Sequence, residues 1–530
     1  MSVEGVLVQG FAEAKLAIGR YYLQGVYLLQ NVEKAAGYFA SAAALGNADA
    51  QCQLGLCYEH GRGMPKDSAA AVHWFQKAAQ QNFSEAQYQL GRCCLANMVP
   101  GSNWQAGVDY LRLAASSGHL EALCRLGACF QHGHGIDKNV DLAMACYHSA
   151  ATKGSAAGSF ALGHCLWKTS EMANTEALSE CMGYFEEAAV QDHAGAQYFI
   201  GLFHDRRGEG IARNAARAAE CYLSAAKLGH SRAQYNLAVA LENGDGVRAD
   251  ESEAIRWYTE AANSGLTAAC YRLGVLLKDT PSRVSDAVRW IKAAAQKGHA
   301  ESLFQLGVWY EVGVRGAIRV KPRTAVSYYR SAAKRGHAGA MVRLGLCCSN
   351  GVGLAADVGA GVDWFRAAAR LGDCQGMYNL ALCYKEGKGI TGNVYECAEL
   401  LLAAAELSHA PSQCLIARMI LAGEGMPQDD SAAFGWFMKA AKSGSAQGQY
   451  YLGQCYEKGL SSVKPDIQHA IEWYHKAAEQ QHLDAQYRLG QVYEWDVRNA
   501  WGEAVRWYRR AAEGGHDPSK RYLRQFKVSC

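Results

Sequence analysis

Histidine, cysteine and closely spaced glycine are the residues of this chain that could do chemistry, and all three recur at regular intervals. Gly-His stands at Gly118-His119, Gly229-His230, Gly298-His299, Gly336-His337 and Gly515-His516. Converging imidazoles would bind a transition metal, but these occupy the same turn of successive copies of one pattern, so the expectation is turn-packing histidines spread along the chain. Cys93-Cys94 and Cys347-Cys348 are adjacent pairs that point in different directions on a helix, unlike the Cys-x-x-Cys of zinc and redox sites. Gly-x-Gly-hydrophobic occurs at Gly61-Met64, Gly133-Ile136, Gly244-Val247, Gly387-Ile390 and Gly423-Met426. Such a loop could cradle a phosphate only after a strand and before a dinucleotide-binding helix, and neither accompanies it here. Gly-x-Ser-x-Gly, His-Glu-x-x-His and P-loop motifs are missing, and the carboxylates form no constellation beyond the repeat. The expectation is therefore no enzyme, with no catalytic, cofactor or metal residue to name.

One polar position does suggest binding. In successive or near-successive copies the residue before the Leu-Gly or Leu-Ala step reads Gln53, Gln89, Arg125, Asn236, Arg272, Gln305, Arg343, Asn379 and Arg488. Amide and guanidinium groups hydrogen-bond peptide backbone and carboxylates, so a ladder of them would suit a partner segment laid along it. Arg125, Asn236, Arg272, Gln305, Arg343, Asn379 and Arg488 are the candidate partner-binding residues. The alternative, solvated edge residues typical of the repeat, stays open.

The elements that must position this ladder are helices. In the stretch 254–271, Ala254, Trp257, Tyr258, Ala261 and Ala262 fall at i, i+3, i+4, i+7 and i+8, one apolar helical face, and Gly265 stops the helix. Nearly the same phrase recurs at Ala71-Ala79, Ala470-Ala478 and Ala504-Ala512. A partner helix carries Ala-x-x-x-Leu-Gly-x-x-Tyr, whose small residue falls at Gly19, Gly55, Gly91, Gly127, Gly163, Gly201, Ala238, Gly274, Gly307, Gly345, Ala381, Ala417, Gly453 and Gly490, most steps being 36 residues. Glycine inside a helix costs about 1 kcal/mol relative to alanine, so close approach of the paired helices must be what it serves. An Asp or Ser, such as Asp67 or Asp250, is placed to cap the second helix. The fold expected is all-α: a right-handed α/α superhelix of about fourteen two-helix repeats over 11–518, with a capping helix over 519–530, the whole chain 1–530 being one solenoid domain. The copies are irregular at 167–178, 279–285, 315–321 and 494–499, where either curvature or partner contact, or tolerated drift, is expected.

Composition agrees with a folded helical chain. Of 530 residues 50% are hydrophobic and 19% charged, with 8 prolines. A formal net charge of +3 without basic runs does not point to nucleic acid or an anionic membrane. No leader pattern and no long apolar run are evident, so neither secretion nor membrane insertion is expected. The 19 cysteines include Cys57, Cys93, Cys129, Cys165, Cys347, Cys383 and Cys455, two residues after the small step, where other copies place Phe203, Leu276, Trp309 or Val492. A position that accepts such residues is a buried apolar one, and packing thiols in a reducing, cytoplasmic setting are expected.

The 36-residue pair, with its Leu-Gly-x-x-Tyr, Gly-x-Gly-hydrophobic loop, Trp-Tyr-x-x-Ala-Ala and closing glycine, resembles the Sel-1-like repeat, a relative of the tetratricopeptide repeat. The resemblance runs from about Phe11 to about Phe526. It implies an adaptor whose first helices, called A here, line a concave face, while the second helices, B, lie outside. Secreted bacterial members carry a bridged Cys at the second Ala of Ala-Ala; this chain has Ala79, Ala115, Ala262 and Ala478 there, so that oxidised scaffold is not implied. The leading expectation is a non-catalytic scaffold that binds extended or helical protein segments for complex assembly or signalling. Alternatives are a helical-repeat RNA-binding protein and a Cys-rich assembly factor of the mitochondrial intermembrane space.

Overall fold

The computed structural model describes residues 3–99, 101, 103–169, 175–205, 213–460, 464–497 and 500–525, with side chains from residue 8 and, within Thr175–Val190, from Leu178. Among these residues 29 α-helices follow one another, as fourteen A/B pairs and a closing helix, Asp517–Gln525. The all-α repeat fold expected from the sequence is the fold the chain forms. It divides into two compact units, Met1–Leu266 and Thr267–Cys530. No helix among the described residues is long and apolar enough to cross a membrane.

The pair Ser231–Asn243 and Glu251–Asn263 shows why the phrase folds as it does. Helix A ends on Gly244, whose φ of 71° is left-handed and whose N–H bonds to the Ala240 carbonyl. Gly246, also at positive φ, serves a different need: a Cβ there would run into the backbone of Ala215, the first residue of the preceding B helix. The second loop glycine is thus a point of contact between repeats. Gly353 against Pro322 and Gly425 against Val394 repeat the approach, with 2.6 Å from the would-be Cβ to the neighbouring backbone in each. These loops carry packing, and the phosphate-cradle geometry is not involved. Asp250 then accepts the Glu253 N–H and caps helix B, an interaction of about 1 kcal/mol.

Helix B buries the apolar face read from its spacing: Ala254, Trp257, Tyr258, Ala261 and Ala262 are all buried, Tyr258 completely. Burying a side chain of that size contributes about 1.5–3 kcal/mol. The ring lands on the small residue of helix A. At Gly453 a Cβ would lie 2.6 Å from Tyr474 Cε1, and at Gly127 it would lie 2.6 Å from Tyr147 Cε1. The Leu-Gly step is therefore a seat for the inward ring of the same pair. In the eighth pair Ile291 takes the ring's place above Gly274, with Cδ1 at 2.6 Å from the would-be Cβ.

The irregular copies keep the pairing. The fifth consists of Ala156–Thr169 and Thr175–Val190, the eighth has a shortened A helix, Thr267–Leu277, and the longer loop of the ninth forms a bridge between Val314 and Ile318. Residues 170–174, 498 and 499, within the fifth and fourteenth irregular stretches, and Phe526 and Lys527 of the expected cap, lie outside the described residues.

Candidate interaction surface

Four residues past the small step, helix A carries a residue that meets the inward ring of its own B helix. Where that ring is tyrosine, its hydroxyl donates to this residue: Tyr147 to Gln131 at 3.0 Å, Tyr222 to Asp205 at 3.4 Å, Tyr258 to Glu242 at 2.7 Å, Tyr474 to Glu457 at 2.6 Å and Tyr508 to Glu494 at 2.8 Å. Tyr329 bonds Glu311 in the same way. Burial first, and the carboxylate partner second, push the Tyr474 hydroxyl far above its ordinary pKa, which keeps it a donor.

The ladder residue of the next A helix completes this node in several pairs. Arg488 donates through Nε and Nη2 to the two oxygens of Glu457, the Nε contact being 3.0 Å, and through Nη1 to Gln491. Arg343 lies 3.7 Å from Glu311. The Asn236 amide lies beside the hydroxyls of Tyr198 and Tyr222 and favours their charged forms. At the closing helix Tyr522 stands in the ladder register and donates to Glu494 beside Tyr508. These side chains tie one repeat to the next.

The other ladder positions differ. Asn379 accepts from Gln375 at 3.1 Å while its Nδ2 is buried with no hydrogen-bond partner. Gln89 is buried between Glu85 and Arg92. Gln53, Gln305 and Arg272 are half-buried. Arg125 is exposed and makes no ion pair among the described residues. The ladder residues share a register on the A helices, and they do not converge on one point.

The Gly-His turns have a capping role that the sequence did not reveal. Each imidazole Nδ1 accepts a backbone N–H three residues on, as His119 does from Ala122 at 3.2 Å, His230 from Ala233 at 3.2 Å and His337 from Ala340 at 3.0 Å. His482 caps its helix likewise, although Gln481 replaces the glycine. With Nδ1 accepting, the ring proton sits on Nε2, which donates to an acid of the preceding A helix: Glu85 from His119 at 2.9 Å and Glu301 from His337 at 2.8 Å. The rings also stack on aromatic residues of that helix, His230 on Tyr198 with centroids 4.5 Å apart and His337 on Phe304 at 4.5 Å. Burial lowers the pKa of His193, His230, His299, His409 and His482.

A second feature missed in the sequence is the glutamine four residues before the small step. Gln51, Gln234, Gln413 and Gln486 are buried and donate through Nε2 to the carbonyl of the second Ala of the preceding B helix, at 3.3, 3.3, 3.0 and 3.0 Å. They give a second donor to carbonyls at the helix end that also accept a backbone N–H three residues on. The recurring Gln at this register was the available signal.

The cysteines two residues past the small step pack as apolar groups. Cys57, Cys93, Cys129, Cys165, Cys347 and Cys455 are buried and Cys383 is half-buried. Burial pushes the thiols of Cys93 and Cys347 up to about 11. Among the described residues no group of three or more His, Cys, Asp and Glu side chains is arranged to hold a metal ion.

Against known proteins, the Sel1 repeat pattern matches thirteen segments covering 11–155 and 194–516, passing over the fifth pair. No curated protein sequence matches the chain. Among solved structures, the crystal structure of c5321, a protective antigen present in uropathogenic Escherichia coli strains displaying an SLR fold, is 24% identical. It superposes with a TM-score of 0.63 over 87% of this chain and 97% of that one. A Sel1 repeat protein from Oxalobacter formigenes is 28% identical, with a TM-score of 0.48 over 59% of this chain and 90% of that one. With thirteen copies of the repeat spread over most of its length, the chain belongs to the Sel1 repeat family.

Proposed function

We propose that the protein is a non-catalytic scaffold that takes up segments of other proteins along the A helices of its units, for complex assembly or signalling. Sel1 repeats are generally protein-interaction modules. The observation that carries the reading is a division among polar side chains of one register. Arg343 and Arg488 hold neighbouring A helices together, whereas Arg125 stands exposed without an ion pair among the described residues. A guanidinium left over from the internal bonding is available to a carboxylate or a peptide carbonyl of a partner.

Affinity capture tests this with the intact protein, an Arg125→Glu variant and an Arg289→Glu control on the exposed side of a B helix. Reversing Arg343 would break a repeat junction, so Arg125 is the informative position. Proteins retained by the wild type and the control but lost from Arg125→Glu are the expected result. Identical protein lists from all three would overturn the part given to Arg125, and captures abolished by nuclease would overturn the protein-binding reading altogether.

A further inference from the structure

Among the junctions with an apolar node, those of Leu421 and Leu95 open into cavities. In the second unit the node residue past the small step is Leu421, the inward ring is Phe437 and the ladder position is Tyr451, so among the described residues no hydrogen bond or ion pair runs through this node between the A helices Ala410–Ala422 and Ala446–Lys458. A cavity of about 430 Å³ lies there, lined among others by Arg418, Leu421, Phe437, Tyr451, Lys458 and Leu460. In the first unit Leu95 and Leu111 occupy the node positions, and a cavity of about 310 Å³ is lined by them with Ala96, Arg92 and Arg125.

Both linings contain cations and neither contains a carboxylate. At the larger cavity Arg418 and Lys458 are exposed and form no ion pair among the described residues, and the Arg418 guanidinium lies 5.7 Å from the centre of the Tyr451 ring. Of the acids nearby, Glu457 is engaged by Arg488 and Tyr474 and Glu424 by Lys385 at 3.2 Å, while Asp430 lies close enough to act, with Lys458, on the Cys455 thiol that lines the cavity. At the smaller cavity Arg92 is already held by Glu59, leaving Arg125.

We propose that the cavity between Ala410–Ala422 and Ala446–Lys458 binds an acidic segment of a partner protein, one large apolar side chain resting on Leu421, Phe437 and Tyr451 and flanking carboxylates meeting Arg418 and Lys458. The proposal rests on the scaffold reading and names its ligand chemistry. Charge complementarity selects the occupant: an apolar floor takes an aromatic or aliphatic side chain, and two uncompensated cations at its edge take carboxylates. The volume falls within the roughly 300–1,000 Å³ of ligand clefts. The cavity of the first unit, with one free cation and less room, binds the same chemistry more weakly.

Fluorescence anisotropy of the intact protein tests the site with three labelled dodecapeptides: one with a central Phe between Asp/Glu flanks, one with that Phe replaced by Ala, and one with Lys in place of every acid. The first is expected to bind and the other two to bind at least about tenfold more weakly. Arg418→Glu and Lys458→Glu, both surface changes, are each expected to weaken the first peptide at least about tenfold. The double variant Leu421→Glu with Phe437→Tyr installs the polar node of the following pair, puts a carboxylate beside Arg418 and Lys458 in place of the apolar floor and is expected to abolish this site while the melting temperature holds. Equal binding by wild type and all variants, or no binding of the acidic peptide, would overturn the site. Panning a random dodecapeptide library on the same proteins separates the two readings. Peptides enriched equally on wild type and variants refute this cavity and leave the scaffold reading standing, whereas no enrichment at all refutes both.

Discussion

Replacing Glu457 by Leu removes the acceptor that holds Tyr474 and Arg488 at one junction, and the consequences can be followed bond by bond. Tyr474 is fully buried, so its hydroxyl loses a 2.6 Å bond with no water to replace it. A buried group left without its partner costs about 1–3 kcal/mol. The Arg488 side chain is 29% exposed and regains water, which limits its share of the loss. Adding Tyr474→Phe removes the stranded hydroxyl and reproduces the Leu421–Phe437 combination that the preceding pair already tolerates. The double variant is therefore expected to be about 1–3 kcal/mol more stable than Glu457→Leu alone. Stability of a long repeat array is not one number, so the assay is native-state hydrogen exchange followed in Ala446–Lys458 and Leu483–Trp495. Exchange in these helices should slow by about 5- to 150-fold on going from the single to the double variant. Tyr222→Phe, whose bond to Asp205 is 3.4 Å, is expected to have a smaller effect than Tyr474→Phe. Equal exchange in Glu457→Leu and the double variant would refute the idea that the carboxylate exists to satisfy the ring hydroxyl.

The capping histidines make stability depend on pH. His193, His230, His299 and His482 have folded pKa values below the ordinary 6.5, chiefly through burial, so the unfolded chain binds more protons as pH falls past 6.5. Their stabilisation is present above 6.5 and is lost as pH falls through the lowered values, where a proton on Nδ1 also removes the cap. Melting temperature should drop between pH 7.5 and 5, and His482→Asn, which caps without titrating, should flatten that slope; an unchanged slope would count against the mechanism. At the Leu-Gly step Gly274→Ala should cost about 1–3 kcal/mol because Ile291 must move, and Gly274→Leu should disrupt its pair; equal melting shifts would remove the steric argument. Cys347, with a pKa of about 11, carries about one thiolate in a thousand at pH 8, so maleimide should label it slowly in the native protein and rapidly in urea; fast native labelling at Cys347 would contradict its burial.

Helix pairing and its period could be read from the sequence because each register repeats with the same physical demand: a small residue under a ring, a cap at a helix start, a glycine at a loop. The node was present in the same letters. Tyr147, Tyr222, Tyr258, Tyr329, Tyr474 and Tyr508 accompany Gln131, Asp205, Glu242, Glu311, Glu457 and Glu494, whereas Phe39, Phe365 and Phe437 accompany Leu23, Ser349 and Leu421. It was overlooked because the partners lie on different helices, 14 to 18 residues apart, while periodicity treats each helix alone. The histidine caps were overlooked for another reason. Spacing places an imidazole at a turn, but only backbone direction shows that Nδ1 faces a free N–H. The cavities beside Leu421 and Leu95 depend on how far neighbouring side chains reach, and no single register reports that.

Glu59 shows what the polar node does. Its own B helix offers Phe75, which has no hydroxyl, yet the acid is there, and Arg92 of the next A helix donates to both of its oxygens at 2.7 and 2.5 Å. The carboxylate therefore holds successive repeats together even where it has no ring to satisfy. A junction with an acid, a tyrosine and a guanidinium or amide is bonded across, and the one at Asp205, Tyr222 and Asn236 leaves a cavity of only about 100 Å³. A junction with Leu421 and Phe437 packs but is not bonded across, and its cations remain unmatched. The same substitution that removes an internal tether thus creates a receptive site, which is why a partner segment is expected at the apolar junctions and not along the ladder as a whole.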